Sequence, residues 1–103
     1  MVEKLTQADD AVDQVAAALA EFESSHEHAE CMVYRYNPAS IRVRIVDEVF
    51  RGKSRGERHD YAMSFLHELS EDVLSQISIL LCLEPGELSL LDIEFGDPSR
   101  AQL

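Results

Sequence analysis

The sequence has no tryptophan, two cysteines, three prolines and four glycines among its 103 residues. Two cysteines, Cys31 and Cys82, are too few for the disulfide framework that small secreted domains use. No apolar run approaches the roughly 20 residues of a membrane span. Met1 to Asp10 lacks a basic stretch followed by an apolar one, so no secretory signal is read there. A cytoplasmic protein with reduced thiols is the expectation. Positive charge is also scarce: 9 Lys and Arg stand against 20 Asp and Glu, a net charge of −11. Long-range repulsion on that scale disfavours a polyanion such as nucleic acid as the main ligand. What remains is sufficient to fold. Hydrophobic residues make up 46% and charged residues 28%, the balance of a chain that closes a core. The length suits one domain, read as residues 1–98 with a frayed end at 99–103.

Hydrophobic periodicity gives the element order. Ala8, Ala11, Val12, Val15, Leu19 and Phe22 recur at spacings of three and four, and Thr6 with Asp9 resembles a capping box, so a first helix is expected to end near Ser24. Two strands then flank the turn Asn37-Pro38-Ala39-Ser40. In the second strand Ile41, Val43 and Ile45 alternate with Arg42, Arg44 and Val46, the pattern of a half-buried strand with a basic outer face. A loop from Phe50 to Gly56 leads to a second helix, opened by Ser54 and Glu57 as a capping box. Its buried stripe is Ala62, Phe65, Leu66 and Leu69. A short helix follows from Ser70 to about Gln76. Ile77 to Leu83 is almost continuously apolar and predicts a central strand buried on both faces. Leu91, Ile93 and Phe95 alternate with Asp92 and Glu94, which predicts an extra C-terminal edge strand. The fold class is therefore α+β, in the order αββααβ, with two main helices on one face of a small mixed sheet.

Within this order, Val43 to Asp47, then Phe50-x-Gly52-x-Ser54, then Arg58-His59 at the start of a helix, resembles the core of BolA-like proteins. The Glu84-Pro85-x-Glu87 exit from the last strand is similar too. The resemblance covers Val43 to Glu87 and implies a type II KH-like topology. It also implies a monothiol glutaredoxin-like partner and a shared iron–sulfur cluster. Two ligand positions depart from the family. The histidine before the last strand is Gln76, and an amide ligates iron poorly compared with imidazole. The hairpin loop, Asn37 to Ser40, offers neither His nor Cys. Cluster ligation in the family manner is thus not expected, and no cofactor is assigned.

Three chemical readings follow from the residues themselves. Arg35, Arg42, Arg44, Arg51, Lys53, Arg55 and Arg58 are seven of the nine cations. Residues 35–58 carry only three carboxylates, for a net of +4 against −15 elsewhere. With His59, this basic hairpin and loop form a candidate docking face for a protein partner. The same groups could instead serve a nucleic acid or another anion, although a KH-like RNA clamp needs a Gly-x-x-Gly loop that is absent. The bland alternative is a set of charges balanced internally by carboxylates such as Asp92 and Glu94. A second candidate is metal binding by His26, His28 and Cys31, whose imidazole and thiolate groups suit zinc but lack an evident fourth ligand. His59 and His67, eight residues apart on the second helix, read as solvated. No nucleophile elbow, phosphate-binding loop or dinucleotide fingerprint is present, so catalysis is not expected.

Overall fold

The computed structural model describes residues 2–4 and 9–87. Helix α1 spans Asp10–Ser25. It starts where Asp9 accepts a hydrogen bond from the Val12 N–H at 2.9 Å. Asp9 is thus itself the N-cap, while the expected partner Thr6 lies outside the described residues. Asp10 and Asp13 in the first turn complement the helix dipole. Val12, Val15, Leu19 and Phe22 are fully buried, at the spacing of one helical face.

Two longer strands form the hairpin. Taking the two-residue strand Glu3–Lys4 as β1, they are β2, Glu30–Asn37, and β3, Ser40–Val46. The pair is antiparallel, with Val33 opposite Val43 and Cys31 opposite Ile45. The expected four-residue loop is shorter, because Asn37 and Ser40 pair with each other. Only Pro38 and Ala39 turn, held by the Asn37 Oδ1 acceptor for the Ala39 N–H at 2.9 Å. The chain then makes one 3₁₀ turn at Glu48–Phe50. The sequence places Phe50 in a loop, yet that turn drives it fully into the core.

Helix α2 covers Arg55–Leu66 and opens on the expected capping box. Ser54 Oγ accepts from the Glu57 N–H at 3.2 Å, and Glu57 Oε1 accepts from the Ser54 N–H at 2.7 Å. Helix α3, Glu71–Gln76, is capped by Ser70, and strand β4, Ile77–Leu83, follows directly.

The sheet order is β1-β2-β3-β4. The outer pairs, β1 with β2 and β3 with β4, are parallel, and the middle pair is antiparallel. Each parallel pair is joined through helix, α1 in one case and α2 with α3 in the other. Both crossovers lie on the same side, so side chains from all three helices meet Val33, Ile41, Val43, Ile45 and Cys82 in one core. Strand β1 left no sign in the sequence.

Among the described residues β4 pairs with β3 alone, and the central strand on that side of the sheet is β3. The expectation that β4 is buried on both faces agrees with its packing, whereas its central position depends on a neighbour outside the described residues. Its apolar run serves two different faces. Ile77, Leu80 and Cys82 pack toward the helices. Ile79, Leu81 and Leu83 join Met32, Tyr34 and Val46 in a second, smaller cluster on the opposite side. A register shift between Ile41 and Arg42 leaves Ser78 as the extra residue, which changes the alternation between Ile77 and Ile79. The expected edge strand at Leu91 to Phe95 and the frayed end at 99–103 lie outside the described residues.

Candidate functional site

The seven cations do not form one continuous surface. Arg35 points to the helix side of β2 and meets the N-terminus of α1. Its Nε lies 2.8 Å from Asp9 Oδ2 and its Nη2 3.1 Å from Asp9 Oδ1. This two-pronged pair holds the Asp9 carboxyl below the usual range, helped by the Val12 N–H. Arg35 is therefore a clamp between hairpin and helix. Arg42 and Arg44 alternate with the buried residues of β3 and so lie on the other face of the sheet. The Arg42 guanidinium stacks 3.6 Å from the centre of the Tyr36 ring. The Arg44 Nη2 approaches the Met32 sulfur at 3.4 Å. Both side chains are half-buried beside the Tyr34, Leu81 and Leu83 cluster.

The remaining cations gather elsewhere. Lys53, Arg55, Arg58 and His59 line a cleft of about 370 Å³, whose other walls are Leu80 to Leu83 of β4 and Glu87. The capping box explains this grouping. By fixing where α2 begins, it sets Arg55, Arg58 and His59 on the first turns, next to the C-terminal half of β4. Arg58 is the hub. Its Nε donates to the Lys53 carbonyl at 3.0 Å, and its Nη1 donates to the Cys82 carbonyl at 3.2 Å and to Glu87 Oε1 at 2.7 Å. The Leu83 carbonyl accepts from the Asp47 N–H at the end of β3. By strand alternation the Cys82 carbonyl points the other way, out to the cleft, where Arg58 meets it.

Glu87 arrives by a tight turn. Gly86 has φ +83°, a conformation open to glycine at no steric cost, and the Glu87 N–H donates to the Glu84 carbonyl at 3.1 Å. The Glu87 carboxylate then accepts from the Glu84 N–H at 3.0 Å as well as from Arg58. Arg58 above all, and the Glu84 N–H next, hold this carboxyl below its ordinary range. Arg51 sits nearby in an exposed pair with Glu84 at 3.5 Å. Arg55 and His59 are exposed, and Lys53 is half-buried with its Nζ 5.7 Å from the Tyr61 ring centre.

The ligand-type residues of the other cluster are placed differently. His26 stacks on Phe22, with ring centres 4.0 Å apart and planes 9° from parallel. Its Nδ1 lies 2.8 Å from the Phe22 carbonyl, which can only accept, so this nitrogen carries a proton. Its Nε2 lies 2.7 Å from the Tyr61 hydroxyl. Phe65 closes the group edge-on. His26 is thus built into the junction of α1 and α2, with both ring nitrogens engaged. His28 is exposed, whereas Cys31 is buried at the start of β2. Burial and the nearby Glu23 carboxylate push the Cys31 thiol up to about 12. Burial does the same to Cys82, also to about 12. Neither is a ready thiolate. Among the described residues no group of three His, Cys, Asp or Glu side chains is arranged to hold a metal ion. Gln76, at the position where the resemblance implies a ligand, turns its amide onto the Asp72 carbonyl at 3.3 Å.

Sequence reasoning missed Glu87 and the Tyr61 hydroxyl. Glu84-Pro85-Gly86-Glu87 signalled a turn, but its closure onto a helix 29 residues earlier has no local signature. No family model matches the chain, and no match is found among curated proteins or solved structures.

Proposed function

We propose that the protein is a non-catalytic cytoplasmic binding module that docks an acidic protein partner at the cleft between α2 and β4. The observation that carries this reading is the composition of the cleft. Lys53, Arg55, Arg58 and His59 stand over an aliphatic floor of strand β4 on a chain whose net charge is −11. A local cationic patch on an acidic body selects for partners with a matching negative patch and repels bulk polyanions. The floor supplies apolar area, and the rim supplies orientation. Chemistry on bonds would need a nucleophile and a base in reach of each other; here the thiols are buried and protonated, and His26 is held in the helix junction. No helix among the described residues is long and apolar enough to cross a membrane.

The BolA-like resemblance supports the same class of function and makes a glutaredoxin-like protein one candidate partner, met without a shared cluster. The test is a comparison of two charge reversals in capture from the native source. Lys53→Glu with Arg55→Glu should abolish capture of a defined partner, while Arg42→Glu with Arg44→Glu should leave most of it. The opposite ranking would move the docking face to the outer side of the sheet. Tight, strongly salt-dependent binding to single-stranded nucleic acid by the unaltered protein would replace this reading with an anion-binding one.

A further inference from the structure

Glu87 already occupies the cleft in the way an incoming carboxylate would. Its Oε1 takes one hydrogen bond from the Arg58 guanidinium and one from the backbone N–H at the end of β4. A charged side-chain donor beside a strand-end N–H is a common means of holding a carboxylate. The Glu87 side chain remains one-third exposed, at 33%, whereas Arg58 is mostly enclosed, at 14%. The occupant is therefore the accessible member of the pair, and the receptor is the fixed one. Arg58 is held by two backbone carbonyls, those of Lys53 and Cys82, in addition to Glu87. Arg55 adds a second positive charge that acts on the same carboxylate.

Resting on the docking reading above, we propose that Glu87 is an internal placeholder for the partner. The cleft binds an extended acidic peptide segment, one of whose carboxylates displaces Glu87 from Arg58. Three features select this partner chemistry. The receptor geometry fits a carboxylate. The β4 residues Leu80 to Leu83 form the floor of the cleft, and among the described residues β4 pairs only with β3. An extended chain can lie along such an edge with alternate side chains directed into the cleft. The rim groups Lys53, Arg55 and His59 lie on the α2 side of that floor, where further carboxylates of the segment would be met.

The competition sets a direction that simple docking does not. Replacing Glu87 by glutamine removes the competing negative charge and should tighten binding, even though it weakens a contact within the site. The experiment uses the full chain and a short end-blocked peptide alternating valine and glutamate, followed by fluorescence anisotropy at low salt. Glu87→Gln should bind this probe about three- to tenfold more tightly than the unaltered protein, the worth of one partly exposed charge-assisted contact. Glu87→Ala should behave alike, and Arg55→Glu should weaken both backgrounds. The probe with glutamine in place of glutamate should lose the advantage.

The outcomes separate the two levels of the claim. If the glutamate probe binds and Arg55→Glu weakens it, but Glu87→Gln leaves the affinity unchanged, the placeholder is refuted and the docking cleft stands. If neither the unaltered protein nor Glu87→Gln binds the probe, both fall. If oligothymidylate binds more tightly than the peptide and gains equally from Glu87→Gln, the site is a general anion site and the peptide assignment is overturned.

Discussion

Helix α2 serves two regions that use similar residue types in opposite ways. Toward α1 it presents Tyr61 and Phe65 to Phe22 and His26, in a junction whose polar atoms are all turned onto one another. Toward β4 it presents Arg55, Arg58 and His59 to an open cleft, where one carboxylate is shared by a guanidinium and a backbone N–H. A histidine in the first region is a strut, with its ring nitrogens bonded and its face stacked. A histidine in the second is exposed and available. Residue type alone does not separate the two roles; what separates them is whether the folded neighbours have already used the side chain's bonding capacity.

The sharpest way to break this contrast is at Phe22. It is fully buried and touches His26, Phe50, Tyr61 and Phe65. Phe22→Ala should destabilise the protein by about 3–5 kcal/mol in urea denaturation, enough to threaten a small domain with about 5–15 kcal/mol in total. Next in size is the protection of the thiols. With Cys31 and Cys82 near 12 against an ordinary 9.0, alkylation of the native protein at mildly alkaline pH should run roughly three orders of magnitude slower than in denaturant. Native rates close to unfolded ones would refute the burial of both sulfurs. Asp9→Ala removes the α1 cap and the Arg35 partner together, and should cost about 1–2 kcal/mol. Tyr61→Phe should cost about 0.5–1.5 kcal/mol for its lost hydrogen bond to His26, with no change in peptide binding; a binding loss would join the two regions that are here held apart.

The smallest expected effect concerns acid. Asp9 and Glu87 have folded-state pKa values below their ordinary ones. As pH falls, the unfolded chain takes up these protons before the folded one does. The stability they contribute is therefore present above about pH 4–4.5 and is lost as pH drops through the folded values. Both carboxylates are substantially exposed, so each contribution is screened and should stay below about 1 kcal/mol. Asp9→Asn should flatten the acid limb of a stability–pH curve more than Glu87→Gln, since Asp9 meets a two-pronged guanidinium and also caps a helix.

The fold was legible because its signals are local. The stripe from Val12 to Phe22, the alternation from Ile41 to Val46 and the Ser54–Glu57 box each declare an element within a few residues. Strand β1 is too short to carry a period. An apolar residue at almost every position of β4 points to packing on both sides of the strand, and one side feeds the helical core while the other joins a small cluster around Tyr34. The site was half legible. Lys53, Arg55, Arg58 and His59 are close in sequence and stay together in space. Arg35, Arg42 and Arg44 share their charge but not their surroundings, because strand alternation sends Arg35 to one face of the sheet and the other two to the opposite one. Glu87 was hidden, since its role depends on a turn folding back onto α2.

The single unpaired residue at Ser78 has a reach well beyond its own position. Everything C-terminal to it along β4 is set one step out of phase with Ile77, so this one insertion decides that Cys82 joins the helices and that Leu81 and Leu83 do not. Were Ser78 to pair in regular register instead, the composition would be unchanged and yet the inner and outer allegiance of the strand beyond it would be exchanged, much as a dropped stitch reverses the pattern of every row knitted after it.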